Sequence, residues 1–251
     1  MEKRKVLMDW GYMGYVEDGE GDPVVFVHGA GNRGEVWSKL FGVLRNHCRI
    51  IALDLPGHGE SSCIQIKSVD DYTSEVLAFL DKMELENATL VGHSMGGAIT
   101  IKAVPATDRI TKGVLVGTGQ ELKVNPKLLD GLKTDFLQWA HTMAKWSFLK
   151  GAPEEVIKNA AEMMIEAGKE VLYNDMYACS TYSGTEALKN FNKPALIVCG
   201  EKDVMTPPDL SRELEEKIPN SKLELIPDAG HMVHQEQPEA LATAILSFLE
   251  T

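Results

Sequence analysis

Apolar runs and helical stripes alternate along this chain, and the alternation is interrupted once. Val24 to Val27, Arg49 to Leu53, Ala88 to Val91, Ile110 to Val116, Ala195 to Cys199 and Lys222 to Ile226 read as strands. The unbroken run at Val24 to Val27 is what a strand buried on both faces of a parallel sheet requires. Between the strands, apolar residues recur at helical spacing. Val36, Leu40, Val43 and Leu44 do so within Glu35 to Leu44, and Val76, Leu77, Leu80 and Met83 within a helix from about Asp70 to Met83, capped by Asp70 or Asp71. Another helix leaves Val91 and ends by Pro105. Two more are predicted over Pro208 to Lys217 and from Pro238 to Leu249, the latter opened by a proline whose missing N–H has no intrahelical partner anyway. Ahead of the first run, Val6 to Glu17 reads as two short antiparallel strands, followed by a turn-rich stretch to Pro23.

The rhythm lapses after Gly119. Residues 120–185 hold no convincing strand, only helical patterns near Pro126–Lys145, Pro153–Gly168 and Val171–Ser180. The expectation is an α/β protein with a mostly parallel sheet flanked by helices. Its core comprises residues 1–119 and 186–251, and residues 120–185 form a helical cap inserted over the carboxyl edge of the sheet.

Composition narrows this further. A chain of 251 residues, 44% hydrophobic and 25% charged, can bury a sizeable core in one large domain. A formal charge of −12 argues against nucleic acid, whose binders carry a basic patch, and against an anionic membrane surface. No apolar run reaches the about 20 residues of a membrane span, and no signal-peptide pattern follows the charged start. Cys48, Cys63, Cys179 and Cys199 are scattered without metal or redox spacing. They are expected as reduced, buried or semi-buried thiols in a cytoplasmic protein.

The candidate chemistry sits at Gly92-His93-Ser94-Met95-Gly96, a G-x-S-x-G between a strand and a helix, which fits a nucleophile elbow. A serine hydroxyl needs a base, and the base needs an orienting group. Among seven histidines, His231 stands out: it lies in a loop after the last strand, behind Gly230 and ahead of a helix. His234 is its near neighbour and is expected to orient or pack locally. Asp203, in a G-x-x-D turn after the Ala195–Cys199 strand, is the candidate acid. Glu201, Asp228 and Glu121 are weaker alternatives, and Asp228 reads as a turn residue. The backbone N–H groups of Met95 and of Ala30, within His28-Gly29-Ala30-Gly31, are candidate oxyanion donors.

The order Ser94, Asp203, His231, with H-G after an early strand, D-x-P-G-H-G-x-S over Asp54–Ser61 and G-H-S-M-G-G at the elbow, resembles the α/β-hydrolase superfamily over nearly the whole chain. The resemblance implies Ser94 as nucleophile, His231 as base, Asp203 as acid and a structural role for the Asp54–Ser61 loop. Serine rather than aspartate at the nucleophile position argues against haloalkane dehalogenases and epoxide hydrolases. The implied function is cleavage of small, fairly apolar carboxylic esters through an acyl-enzyme, by a monomer or homodimer needing no metal or organic cofactor. A C–C bond hydrolase or lyase of the same fold, and a non-catalytic small-molecule receptor, are the alternatives. Trp139, Met143 and Trp146 in the cap are candidate substrate-pocket residues.

Overall fold

Strands β1 (Glu2–Met8), β2 (Gly11–Asp18), β3 (Pro23–Val27) and β4 (Arg49–Leu53) form the first half of a sheet. Strands β5 (Ala88–His93), β6 (Ile110–Val116), β7 (Ala195–Gly200) and β8 (Ser221–Ile226) complete it. The computed structural model describes residues 1–250 and orders these eight strands β1-β2-β4-β3-β5-β6-β7-β8. β2 runs antiparallel to β1 and β4, and every later pairing is parallel. The expected mostly parallel sheet is therefore present.

The parallel strands bury both faces. In β3, Val25 and Val27 enter one apolar cluster while Val24 and Phe26 enter the other; in β7, Ile197 and Val198 divide in the same way. This is the two-residue side-chain period of a strand acting in a fully covered sheet. One face is covered by α2 (Val69–Lys82) and α3 (Met95–Ala103), the other by α1 (Ser38–Leu44) together with a C-terminal helix over Pro238–Leu249. The N-cap of α2 is Ser68, two or three positions ahead of the expected Asp70 or Asp71. Its hydroxyl accepts from the Asp71 amide while the Asp71 carboxylate accepts from the Ser68 amide. Asp71 thus sits at the third helical position of a capping box. The stretch expected as one helix from Glu35 begins as a 3-10 turn, Gly34–Trp37, before α1.

Between β6 and β7 run α4 (Pro126–Thr134), α5 (Phe136–Ser147), α6 (Glu154–Ala167), α7 (Lys169–Thr181) and α8 (Thr185–Leu188). The pattern over Pro126–Lys145 is thus two helices parted at Asp135, and a single β-bridge joins Glu121 to Ser183. Residues of this insertion join both sheet-face clusters: Leu122, Cys179 and Tyr182 one, Leu132, Met164 and Leu172 the other. After β7 come α9 (Pro208–Lys217), then, beyond β8, a short α10 (Val233–Glu236) and α11 (Pro238–Leu249). Of the cysteines, Cys48, Cys179 and Cys199 are buried, whereas Cys63 is exposed in the loop after β4. Among the described residues no helix is long and apolar enough to cross a membrane.

Candidate active site

Strand order reverses between β3 and β5, so the loops leaving their carboxyl ends diverge and open a crevice. Ser94 stands in that crevice, between β5 and α3, with φ 55° and ψ −115°. A non-glycine residue in this region is strained, and such strain persists only where the surroundings over-determine it. Here they do. A Cβ on Gly92 would lie 2.0 Å from the Gly96 carbonyl oxygen, and one on Gly96 would lie 2.2 Å from that of Val27. The turn can close only with both side chains absent.

The loops after β7 and β8 carry the next two residues and are tied by amide bonds, Glu201 N–H to Ile226 O at 3.0 Å and Lys202 N–H to Ala229 O at 3.0 Å. His231 Nδ1 lies 2.8 Å from Asp203 Oδ2. Asp203 also accepts the Thr206 hydroxyl on Oδ2 at 2.8 Å and the Met205 and Thr206 amides on Oδ1 at 2.8 and 2.9 Å. Burial alone would raise the Asp203 pKa; the adjacent His231 and the Thr206 hydrogen bonds outweigh it and hold the carboxyl below its usual value. An ionised Asp203 only accepts, so Nδ1 of His231 carries the proton and Nε2 is left as the basic nitrogen. Among the described residues nothing hydrogen-bonds that Nε2.

His93 and His234 stand behind His231. The Nε2–H of His93 donates to the His231 carbonyl at 2.9 Å, fixing the backbone of the loop. Burial first, then the neighbouring His234 and His231, hold His93 well below the ordinary histidine pKa, and burial brings His234 down to about 3. Both are neutral packing groups, with His234 stacked on Trp37 at 4.6 Å between ring centroids. Asp228 is a turn residue with φ 50°, ion-paired to Lys202 at the surface.

Ser94 and His231 border one cavity of about 60 Å³, together with Ala30 and Asn32. Its apolar wall is rich in sulfur: Met143, Met164 and Met176 from the insertion, Met205 and Met232 from the core loops, and Cys179. The amides of Ala30 and Met95 have no partner among the described residues. Met95 is the first residue of α3, where an N–H has no intrahelical acceptor. Of the three aromatic and methionine candidates, only Met143 reaches the cavity. The inner face of α5 is Ala140, Met143, Ala144 and Ser147. Trp139 and Trp146 flank that face and pack edge-to-face on each other at 6.2 Å, with Trp139 also covering Gly131.

Three supporting residues escape a reading of the sequence. Thr206 could have been found from its place three residues after Asp203, where a hydroxyl returns to the local turn. Glu236 accepts the Leu149 amide at 2.7 Å and the Gly230 amide at 2.8 Å, joining the α5–α6 connection to the His231 loop. Asp175 lies on the inner stripe of α7 with Leu172, Met176 and Cys179, a carboxylate in an apolar row. His58, in the loop after β4, donates from Nε2 to Asp175 at 2.9 Å.

Comparison with known proteins agrees with this architecture. A family described as alpha/beta hydrolase fold matches residues 22–238. The dihydrolipoyllysine-residue acetyltransferase component of an acetoin cleaving system from Pseudomonas putida is 30% identical over 97% of this chain. The chain spans only 66% of that longer protein. A bromoperoxidase from Bacillus anthracis superposes with a TM-score of 0.93 at 26% identity, covering all of both chains. A thermophilic esterase does so with a TM-score of 0.87 at 28% identity, covering 99% of this chain and 97% of its own. With the family's match extending over most of its length and the same sheet beneath it, this chain belongs to the alpha/beta hydrolase fold family.

Proposed function

We propose that the protein is a serine hydrolase that cleaves small, fairly apolar carboxylic esters through an acyl-enzyme. The observation that carries this reading is the convergence on one cavity of Ser94, held at φ 55°, and of His231, whose Nδ1 is bound to Asp203. In the proposed cycle, Nε2 of His231 takes the Ser94 proton as Oγ attacks the ester carbonyl. Asp203 steadies the imidazolium that forms, and the N–H groups of Ala30 and Met95 bind the developing oxyanion. His231 returns the proton to the leaving alcohol, and water, activated by the same nitrogen, releases the acid. The esterase relative supports a hydrolytic reading without naming a substrate for this chain.

Cavity size favours short acyl groups. About 60 Å³ is well below the roughly 150 Å³ that admits benzene, although unbranched methionines can move aside for something larger. The test is a p-nitrophenyl ester series from acetate to octanoate, run on the wild type and Ser94→Ala. Turnover of the shorter esters and its loss in the variant, by about 10⁶-fold in kcat, is expected. Near wild-type turnover by a folded Ser94→Ala would end the proposal.

A further inference from the structure

Asp175 is fully buried and belongs to the insertion, yet its carboxylate makes all of its hydrogen bonds to the core. Its Oδ2 accepts the Gly31 amide at 2.8 Å and His58 Nε2 at 2.9 Å, and its Oδ1 accepts the Tyr72 hydroxyl at 2.5 Å. One carboxylate of α7 therefore joins three separate core segments: the loop after β3, the loop after β4 and helix α2. His58 uses both ring nitrogens as donors, since Nδ1 faces the Pro56 carbonyl at 3.1 Å. It is an imidazolium paired with the carboxylate, and although burial opposes the charge, Asp175 outweighs burial and its pKa is raised.

The Gly31 bond matters most for chemistry. The peptide linking Ala30 to Gly31 is held at both ends: Asn32 Nδ2 donates to the Ala30 carbonyl at 3.0 Å, and the Gly31 N–H donates to Asp175. Gly31 has φ +65°, so this peptide plane is turned into an orientation that the chain does not hold by default. The Ala30 N–H belongs to the preceding Gly29–Ala30 peptide, whose carbonyl accepts from His28 Nδ1 at 2.8 Å and from the Asn32 amide at 3.2 Å. Holding the plane after Ala30 anchors the other side of its Cα and so limits how far that N–H can swing at the cavity.

We propose that Asp175 is a positioning residue for hydrolysis: by holding the Ala30–Gly31 peptide it aims the Ala30 amide at the oxyanion, so that the helix walling the acyl pocket also aligns the catalytic loop. This rests on the serine-esterase reading above. It differs from a purely structural role in what it predicts, because an oxyanion donor acts on the transition state more than on bound substrate.

The experiment compares Asp175→Ala with Asp175→Asn. In Asp175→Ala the Gly31 N–H loses its acceptor, and kcat should fall by about 10²-fold, as on loss of one oxyanion donor, with KM unchanged. Inhibition by a trifluoromethyl ketone, whose adduct carries the oxyanion, should weaken by the same factor. Asp175→Asn keeps an oxygen for Gly31 and should recover most of both, while losing the charge pairing with His58. If Asp175→Ala does not fold, the double variant His58→Leu/Asp175→Leu removes the buried charges as a unit, a replacement that proteins often tolerate. It should show the same kcat loss. Wild-type kcat in the Ala or double variant, a loss confined to KM, or an Asn variant no better than Ala would each overturn the inference. Failure of the esterase reading would show itself separately, as absence of ester turnover and of fluorophosphonate labelling in the wild type.

Discussion

The protein contains two buried aspartate–histidine pairs of nearly equal length, at opposite sides of the Ser94 crevice. Asp203 and His231 are 2.8 Å apart at the β7–β8 edge, and Asp175 and His58 are 2.9 Å apart where α7 meets the loop after β4. Seen only as pairs they are alike. They differ in the second imidazole nitrogen. His58 spends both nitrogens on acceptors and has none to offer a proton in transit. His231 spends Nδ1 on Asp203, keeps Nε2 without a partner among the described residues, and borders the cavity. A buried carboxylate beside a histidine is therefore no sign of a base by itself; what sets His231 apart as the proposed base is its unengaged nitrogen and its place beside Ser94 on one cavity.

The comparison breaks most sharply at the carboxylates' partners. Asp203→Asn should lower kcat for an ester substrate by about 10⁴-fold while leaving the urea midpoint near that of the wild type, since an amide reverses the preferred tautomer of the base. A variant that kept a tenth of wild-type kcat would show that His231 needs no ionised partner. His58→Ala should do the opposite. It leaves Asp175 buried without its counter-charge, a loss of about 3–5 kcal/mol in stability, while the folded protein keeps most of its turnover. Equilibrium urea unfolding followed by circular dichroism reads the first quantity. An unchanged midpoint would mean that the pair contributes nothing.

That contrast also separates what could be read from the sequence from what could not. The parallel sheet was legible because β3 and β7 carry apolar runs set between helical stripes, and the elbow because its glycines admit no substitute. Asp203 and His231 were legible because each follows a strand end, a position that puts a side chain at the carboxyl edge. The Asp175–His58 pair lies 117 positions apart in sequence, and nothing local marks either residue as the other's partner. His58 belongs to a loop rich in Pro and Gly, and the amides of Gly34 and Glu60 donate to Asp54 at its start, so the Asp54 end shapes the turn. The insertion was legible as helices but not as a surface: whether Met143 or the tryptophans face the cavity depends on the rotation of α5, which apolar content alone does not set.

A smaller effect distinguishes the histidines by pH. His28 and His234 are held down to about 3, in each case mainly by burial. Their folded pKa values lie below the ordinary 6.5. The stability tied to their neutral forms is complete above pH 6.5 and is lost as pH falls toward 3, because only the unfolded chain takes up the protons. His58 has the reverse sign: its pKa is raised, so its contribution is complete below 6.5 and is lost as pH rises through its folded value. Stability should therefore decline on the acid side by about 1 kcal/mol per pH unit for each neutral buried histidine. His234→Phe should flatten that limb at little cost, since neither His234 nitrogen has a partner among the described residues. Urea midpoints from pH 7 to 4.5 test this, and an acid limb of unchanged slope in the variant would contradict it.

The smallest expected change concerns the wall of the cavity. Met143 reaches the space beside Ser94, while Trp146 is 41% exposed on the far flank of the same helix, so the two make opposite predictions although both are large apolar residues three positions apart. Shortening Met143 to alanine enlarges the cavity beside Ser94 and makes room for about one further methylene. A hydrophobic pocket discriminates by roughly ten-fold or somewhat more per methylene, so Met143→Ala should shift the ratio of kcat/KM for hexanoate over acetate esters upward by about ten-fold. Trp146→Ala should leave that ratio within about two-fold of the wild type, since a residue that does not touch the acyl group has no differential contact to lose. Measuring both variants on one ester series makes the orientation of α5 the thing tested. A shift in Trp146→Ala equal to that in Met143→Ala would mean that acyl length is read by how the insertion as a whole sits on the sheet rather than by the side chains lining the cavity. The carboxylates that tie the insertion to the core, Asp175 and Glu236, would then be the residues that set specificity as well as alignment.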